Sequence, residues 1–439
     1  MEGTIIKIDA KLSNLYIKNI CYGGLGISSY NGQTVFVPYS APHDRLTAKI
    51  SKIKNDYLEA ELLELEEPSP WRTTPPCPYF GMCGGCQLQH LEYKYQLQVK
   101  EDIIKDAFKR ISKINEIPLK KIIPSPLQFG YRHKMEFSVR GSGNSHPVQI
   151  GLFRPNTHEL VDIKECLIAH PLINKVLEKT KEILKGIPYY LNTLDISVNN
   201  SNQALLVLRF RRGKVEDGVE LFNKIKKEIP GVMGGLIRIE QYKHALSMPW
   251  SDTEIPLNNL PYNYYFGPET FFQNNIKGNE LLVKTVIETE TFTGKEAILE
   301  LHCGIGNFSL PLASKVKRLV GIESNPDSVD KAIKNASLNN ISNLEFIKKS
   351  DLKGLKYILN SQERFDLLVL DPPRCGCKHI MEYIPSLDVK KIIYVSCNPT
   401  TLARDVSMLI DKGYQLASIQ PIDMFPQTHH VESVVFLER

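Results

Sequence analysis

The chain has 439 residues, too many for a single hydrophobic core, so two or three domains are expected. Its 42% hydrophobic and 23% charged residues are ordinary for a globular protein. No apolar run approaches the ~18 residues of a membrane-spanning helix, which excludes a helical membrane protein. A net charge of +5 permits a polyanionic partner without demanding one. Nine cysteines in a chain with no recognisable secretion signal point to metal-binding or catalytic thiols over a disulfide framework, and to a cytoplasmic protein.

In chain order, alternating or β-branched runs at residues 3–8, 15–20, 34–38 and 44–53, with turn signals at Gly23-Gly24 and Asn31-Gly32, predict a small all-β barrel of OB-like size over residues 1–66. Such barrels bind nucleic acid in some proteins and are purely structural in others. Residues 67–76 carry Pro68, Pro70, Pro75 and Pro76 and read as a linker. It leads into Cys77, Cys83 and Cys86, whose separations, with Gly84 and Gly85 permitting a tight loop, are those of metal ligands. Cys166 is the candidate fourth ligand, since no other cysteine lies between Cys86 and Cys303. From spacing alone zinc and an iron–sulfur cluster both stay open, because each accepts four thiolates.

Residues 92–115 carry a helical apolar stripe including Leu97, Val99, Ile103, Ile104 and Phe108. Mixed strand and helix signals follow from residue 122 to 262. Phe129, Tyr131, Arg132, His133, Lys134, Phe137 and Arg140 interleave aromatic and basic side chains, and Arg209, Arg211, Arg212 and Lys214 add a second basic cluster. Aromatics that stack on bases and cations that meet phosphates are the ingredients of RNA contact. Solvated strand faces carry the same pattern, and both readings stand.

From residue 263 the pattern becomes repeated strand–loop–helix units, an α/β domain. A strand at 297–303 runs into the loop Gly304-Ile-Gly306-Asn307, and the next strand, 318–323, ends in Glu323. A glycine loop lets the backbone approach a ligand, and an acid at the next strand end holds ribose hydroxyls. The third glycine of a dinucleotide loop is missing, which favours a nucleoside cofactor without a pyrophosphate, S-adenosylmethionine. Residues 365–371 form a central strand ending in Asp371-Pro-Pro, where Arg374 replaces the aromatic used by enzymes that methylate exocyclic amines. The strand 391–395 leads to Cys397, followed by Asn398-Pro399 and a helix at 400–411. A thiol at a strand's carboxyl end, next to a helix N-terminus, is where such sheets bind ligands and where a thiolate is favoured. The final strands, 418–424 and 433–437, flank a turn with His429, His430 and Glu432.

Together these motifs resemble the RNA uracil-5-methyltransferases, over nearly the whole chain, and especially the iron–sulfur branch that makes 5-methyluridine in 23S ribosomal RNA. The resemblance implies a multidomain fold. Residues 1–66 would be an OB-like TRAM β-barrel, and residues 67–262 an α+β RNA-binding domain with a four-cysteine cluster loop. Residues 263–439 would be a Rossmann-like α/β methyltransferase domain, on which the helices near 92–115 pack. It implies Cys77, Cys83, Cys86 and Cys166 as ligands of a [4Fe–4S] cluster, and Arg132 and Lys134 as RNA contacts. Gln273, His302, Asn307, Glu323, Asp351 and Asp371 match the cofactor positions; Cys397 matches the nucleophile and Glu432 the general base. The family usually has an aspartate and an aromatic where this chain has Glu300 and His302, and Cys375 and Cys377 are unusual beside the Asp-Pro-Pro motif.

The chemistry implied is addition of Cys397 to carbon 6 of a flipped-out uracil, methylation of carbon 5, and proton removal by Glu432. The expected partner is RNA, most of all 23S rRNA, with no membrane and a monomer as the default. Alternatives are a tRNA uridine-5-methyltransferase, an RNA cytosine-5-methyltransferase and a non-catalytic RNA-binding protein. The cytosine enzymes carry a second cysteine directly after Asp-x-Pro, where this chain has Arg374.

Overall fold

The computed structural model describes residues 7–141, 147–185, 190–240, 246–251, 254–259 and 261–439; the strand expected at residues 3–8 lies mostly outside them. The N-terminal unit is one curled six-stranded sheet. Its strands are β1 (Lys11–Tyr16), β2 (Asn19–Cys21), β3 (Leu25–Tyr30), β4 (Gln33–Pro38), β5 (Arg45–Ile53) and β6 (Tyr57–Glu67), in the order β1-β5-β6-β4-β3-β2. Alternation turns Leu46, Ala48 and Ile50 of β5 inward to meet Leu12, Leu15, Val35, Val37 and Leu58. The run 15–20, expected as one strand, is broken because the chain changes partner there. The Ile17 amide donates to Asp44 O beside β5 (2.9 Å), and the Lys18 amide donates to Ile27 O on β3 (2.8 Å). That switch is how the sheet curls.

After the proline-rich segment, α1 (Tyr93–Ala107) runs into a π-helical turn at Phe108–Ser112. The central sheet contains β7 (Lys134–Arg140), β8 (Gln149–Phe153), β9 (Leu160–Asp162), β10 (Leu191–Val198), β11 (Ala204–Phe210), β12 (Val232–Ile239) and β13 (Leu246–Ser251). Its order is β13-β12-β11-β10-β7-β8-β9. Helices α2 (Pro171–Ile183) and α3 (Val215–Glu228) pack on each other and on this sheet. A hairpin of β14 (Ile255–Asn259) and β15 (Tyr262–Phe266) then turns its apolar side toward Phe272, Ile276, Ile305 and Leu310 of the C-terminal region.

The C-terminal region contains α4 (Ile276–Glu288), β16 (Ala297–Leu301), α5 (Ser309–Ala313), β17 (Arg318–Glu323), α6 (Pro326–Leu338), β18 (Leu344–Lys348) and α7 (Asp351–Ser361). It continues with β19 (Leu367–Leu370), β20 (Lys391–Ser396), α8 (Pro399–Ile410), β21 (Gln415–Ile422) and β22 (Glu432–Glu438). The strand order is β18-β17-β16-β19-β20-β22-β21, with β22 alone antiparallel to its neighbours. The near-continuous apolar runs of β16, β19 and β20 follow from burial on both faces. On one face, Ile104, Ala107 and Phe108 join the core formed by Leu402, Ala403 and Val406 of α8, so α1 is docked on this sheet. The order reverses between β16 and β19, and that switch point opens a crevice at the strands' carboxyl ends. Among the described residues no helix is long and apolar enough to cross a membrane.

Candidate active site

Cys397 follows the last residue of β20 and Glu432 opens β22. Because these strands are antiparallel with Ser396 opposite Ser433, the register sets Cys397 across from Glu432 at the mouth of the crevice. The turn into α8 is tightly made. Asn398 Oδ1 accepts from the Thr400 amide (3.1 Å), while Asn398 Nδ2 donates to Arg374 O (2.9 Å) and ties the Asp-Pro-Pro loop to the turn that follows Cys397. Burial pushes the Cys397 thiol up to about 12, with the neighbouring Glu432 and Asp371 adding to the effect. Arg374 opposes them, both by charge and by a hydrogen bond to the sulfur. Glu432 is 3% exposed, and burial beside Asp371 raises its carboxyl well above the usual range. Asp371 itself is pushed up to about 7 by desolvation. Sequence reasoning missed Arg374 as a site residue, although a cation directly after Asp-Pro-Pro was there to be read.

The cofactor-type residues line the other side of the crevice. Glu323 accepts from the Gly304 amide (3.1 Å) and the Asn325 amide (2.7 Å), which joins the acid to the glycine loop. Gly306 has φ +92°, and a Cβ there would come within 2.4 Å of Leu310 Cδ1, so the loop tolerates no side chain. Asp351 opens α7 and lies 3.4 Å from His302 Nε2 and 2.8 Å from His379 Nε2; the two imidazoles, His302 foremost, hold its carboxylate below the usual range. His302 thus replaces an aromatic with a polar contact, and His379 was not anticipated from sequence. Glu300 is fully buried and pushed up to about 8 by desolvation, and Ser309 Oγ donates to it (2.5 Å). Asn307 has both ends of its amide paired with Asn279 of α4 (2.7 and 3.0 Å), so its side chain faces that helix. Cys377 is a core residue, with its sulfur 3.4 Å from Tyr394 Oη, whereas Cys375 is exposed.

Arg132 stands between this crevice and a second cavity. Its amide donates to Ile168 O (2.8 Å), its carbonyl accepts from the His170 amide (2.9 Å), and the His133 amide donates to Asn274 O (2.7 Å). The Cys166 segment, Arg132 and the Gln273-Asn274 segment are therefore stitched side by side, and Gln273 is buried next to Lys134 and Asn274. Lys134 donates to Pro268 O (3.0 Å), which turns its ammonium onto the protein.

The second cavity, about 420 Å³, is lined by Cys77, Cys83, Cys86 and Cys166 together with Arg132. Burial, then proximity to the other sulfurs, pushes Cys86 up to about 12; burial pushes Cys166 up to about 11. The amides of Gly85, Ile168 and Ala169 point at sulfurs in this set. Among the described residues no group of three or more His, Cys, Asp or Glu side chains is arranged to hold a single metal ion. The four thiols nonetheless converge on one space, with amide donors suited to sulfur ligands.

The turn from Asp423 to Val431, which delivers Glu432, is fastened from four directions. Lys100 of α1 forms an ion pair with Asp423 (2.5 Å), both side chains fully buried, and donates to Phe425 O (2.9 Å). Gln96 and Gln427 exchange amide hydrogen bonds (2.9 Å each), holding Gln427 at φ +71°. Tyr131 Oη donates to Pro426 O (2.9 Å) and Asn275 Nδ2 to Met424 O (3.0 Å). From the cysteine loop, the Gln87 and Leu88 amides both donate to Gln427 O (3.0 Å), and Gln87 Oε1 lies 3.1 Å from His429 Nδ1.

Comparison with known proteins agrees with this geometry. A family model described as tRNA (Uracil-5-)-methyltransferase matches residues 92–439, and a TRAM domain model matches residues 17–63. An uncharacterized RNA methyltransferase of Aquifex aeolicus is 35% identical over 428 residues, 97% of this chain and 98% of that protein. Another, of Halalkalibacterium halodurans, is 32% identical over 442 residues, 96% of each. Among solved structures, the tRNA (uracil-54, C5)-methyltransferase of Pyrococcus abyssi in complex with S-adenosyl-L-homocysteine matches with a TM-score of 0.73 at 26% identity, over 96% of this chain and 100% of that one.

Proposed function

The chain belongs to the RNA uracil-5-methyltransferase family and is an S-adenosylmethionine-dependent enzyme, and from that premise we propose that Cys397 and Glu432 carry the reaction as nucleophile and base. The observation that carries this reading is the β20–β22 register, which sets thiol and carboxylate opposite each other at the switch-point crevice. The Cys397 thiolate adds to carbon 6 of uracil, forming a carbon–sulfur bond and moving the ring electrons onto the 4-oxygen as an enolate. Carbon 5 of that enolate is the carbon nucleophile. Bound in the crevice, S-adenosylmethionine would supply the methyl group to it, its sulfonium becoming a neutral thioether. Glu432 then removes the proton from carbon 5, the 5,6 double bond re-forms and the thiolate is expelled. Asp371 and Arg132 orient the ring edge, while Gln273, His302, Glu323 and Asp351 hold the methyl donor, with Asn307 shaping the loop beneath it. Burial disfavours the charged forms of Cys397 and Glu432 in the free protein, and a cationic methyl donor entering beside them would favour those forms.

The substrate is a uridine in 23S rRNA, the partner implied by likeness to the iron–sulfur branch. The four-cysteine cavity supports that branch: Cys77, Cys83, Cys86 and Cys166 would hold a [4Fe–4S] cluster, a group larger than one ion and able to neutralise buried thiolates. This methyl transfer moves no net electrons, so a cluster held by these four cysteines would brace the loop that carries Gln87. One chain contains the thiol, the acid and the glycine loop, which suffices for a monomer acting in the cytoplasm, where ribosomal RNA is found. A tRNA substrate is the second reading, favoured by the printed activity of the Pyrococcus abyssi enzyme.

Mapping 5-methyluridine in rRNA and tRNA from a deletion strain decides between them, with loss of one 23S rRNA site expected. Cys397→Ala is expected to lose both turnover and the covalent adduct with 5-fluorouridine RNA while still binding cofactor. Methylation retained by that variant refutes the nucleophile. Anaerobically purified protein is expected to contain iron and sulfide that Cys86→Ala lacks.

A further inference from the structure

The N-terminal barrel reaches the active site with a side chain that the mechanism above does not use. Between β2 and β3 the chain turns through Tyr22, Gly23 and Gly24, the two glycines at φ +105° and +77°. A Cβ on Gly24 would lie 2.6 Å from Gln87 Cβ and 3.7 Å from His429 Cβ, so the barrel turn touches both the cysteine loop and the turn that delivers Glu432. The turn is docked rather than loose. Ile20 and Ala41 of the barrel share one core with Leu88, Leu91, Val99 and Ile103, and Tyr22 packs against it.

From that position the Tyr22 ring meets His429 edge-on at 5.0 Å and His430 at 6.4 Å. His429 and His430 are 4.1 Å apart, and Phe425 closes on His430 at 5.9 Å, so the four rings form one aromatic wall directly before Glu432. Because the His429–His430 pair ends two residues before Glu432 in the chain, its contact with the Tyr22 ring sets the barrel turn beside the segment that delivers Glu432, and the phenol is coupled electrostatically to Cys397, Arg374 and Glu432. Among the described residues its hydroxyl makes no hydrogen bond to the protein, and His430 Nδ1 is a buried atom without a partner. Edge-to-face packing fixes ring orientation, and a phenol at the edge of such a wall offers an apolar face and a donor together.

We propose that Tyr22 of the barrel is a positioning residue of the methyl-transfer site, closing the target-base pocket opposite Cys397 and holding the His429–His430 pair that precedes Glu432. The barrel then acts on the chemical step as well as on RNA capture. The inference rests on the assignment of Cys397 and Glu432, and its test separates the two.

Tyr22→Phe and Tyr22→Leu are compared with the unaltered chain by single-turnover methyl transfer to its RNA, by adduct formation with 5-fluorouridine RNA, and by the affinities for RNA and cofactor. Unchanged cofactor affinity certifies the fold of each variant. At saturating RNA, Tyr22→Leu is expected to slow both reactions about tenfold or more, because misplacement of a reacting group by a fraction of an ångström has effects of that order. RNA affinity should stay within roughly threefold, the split expected of an interaction used in the transition state. A Tyr22→Phe variant at full rate assigns the role to the ring; one as slow as Tyr22→Leu assigns it to the hydroxyl. The proposal is overturned if Tyr22→Leu reacts at the wild-type rate, or if its whole loss lies in RNA affinity. Should Tyr22→Leu not fold, Tyr22→Met takes its place as the variant without the ring, and a wild-type rate for it overturns the proposal. Failure of the unaltered chain to form the adduct removes the assignment of Cys397 instead, while the methyl-transfer rates still read Tyr22.

Discussion

Replacing Arg374 by Met tests the electrostatics of Cys397, the proposed nucleophile. Burial, Glu432 and Asp371 all hold the Cys397 thiol in its neutral form, at about 12, and Arg374 opposes them with its charge and a hydrogen bond to sulfur. At neutral pH the free protein therefore carries a thiolate fraction on the order of 10⁻⁵. A hydrogen bond to a charged group contributes about 1.5–3 kcal/mol. Arg374 is exposed at the rim, so solvent screening places it near the lower figure. At about 1.4 kcal/mol per unit, its loss raises the thiol by roughly one unit and leaves about tenfold less thiolate at any pH below the midpoint. The assay is the second-order rate of adduct formation with 5-fluorouridine RNA at subsaturating RNA, which reports the thiol of the free protein, with the RNA affinity of each protein measured beside it to correct for a lost phosphate contact. The thiol is raised above its ordinary value, so thiolate is scarce at neutral pH and is gained as pH rises. The logarithm of the rate should climb about one unit per pH unit between about pH 6 and about pH 9 in both proteins, with the variant displaced downward by about one. A flat profile for the unaltered chain, or superimposed lines, refutes the reasoning.

Lys100→Met leaves the Asp423 carboxylate fully buried without its partner. It is expected to cost about 3–5 kcal/mol, read as a lower melting temperature, with turnover lost before RNA binding; Lys100→Met combined with Asp423→Leu should recover much of the stability. Glu300 is raised to about 8, so the native state keeps a proton that the unfolded chain sheds above the ordinary carboxylate value, and stability falls as pH rises between the two. Glu300→Gln should therefore raise the melting temperature more at about pH 8 than at about pH 5, the sign being checked by scanning calorimetry at both. Gly306→Ala combines a left-handed backbone with a 2.4 Å approach to Leu310. It should weaken S-adenosylmethionine binding at least roughly tenfold, measured calorimetrically, since such strain costs about 1–3 kcal/mol.

Much of the fold is legible locally. The apolar run ending at Glu323 is β17 residue for residue, and the one ending before Asp371 contains β19, because strands covered on both faces write themselves as near-continuous apolar runs. The run at residues 15–20 misleads because its alternation continues across the point where the chain leaves β5 for β3, and pairing partners are not encoded in period. Lys134 shows a similar limit. Its place in a basic, aromatic stretch reads as RNA contact, while one of its ammonium hydrogens goes to Pro268 O, a carbonyl remote in sequence that no local pattern announces. Arg374 was legible as a cation next to Asp-Pro-Pro, but its tie to the nucleophile turn runs through Asn398 and needs the fold. Tyr22 carried no signal beyond one tyrosine before a glycine pair, since its meaning comes from contact between units far apart in the chain.

The two halves of the site differ in how they are built. The glycine loop, Glu323, Asp351 and Asp371 sit at consecutive strand ends of one sheet, so the cofactor crevice is fixed by the C-terminal sheet's own hydrogen-bond ladders. The Asp423–Val431 turn that delivers Glu432 is an excursion between two edge-side strands, and it is held by α1, the cysteine loop, Tyr131, Asn275 and the barrel turn. A strained residue such as Gln427 at φ +71° persists only where its surroundings over-determine it, as two amide bonds from Gln96 and two onto its carbonyl do here. On the proposed roles, cofactor capture is thus a property of the C-terminal sheet, whereas placement of Glu432 draws on segments from the whole length of the chain. That division, on the same proposed roles, explains why α1, the cysteine loop and the barrel turn converge here: packing between distant parts of the chain sets the geometry of the proton-transfer step.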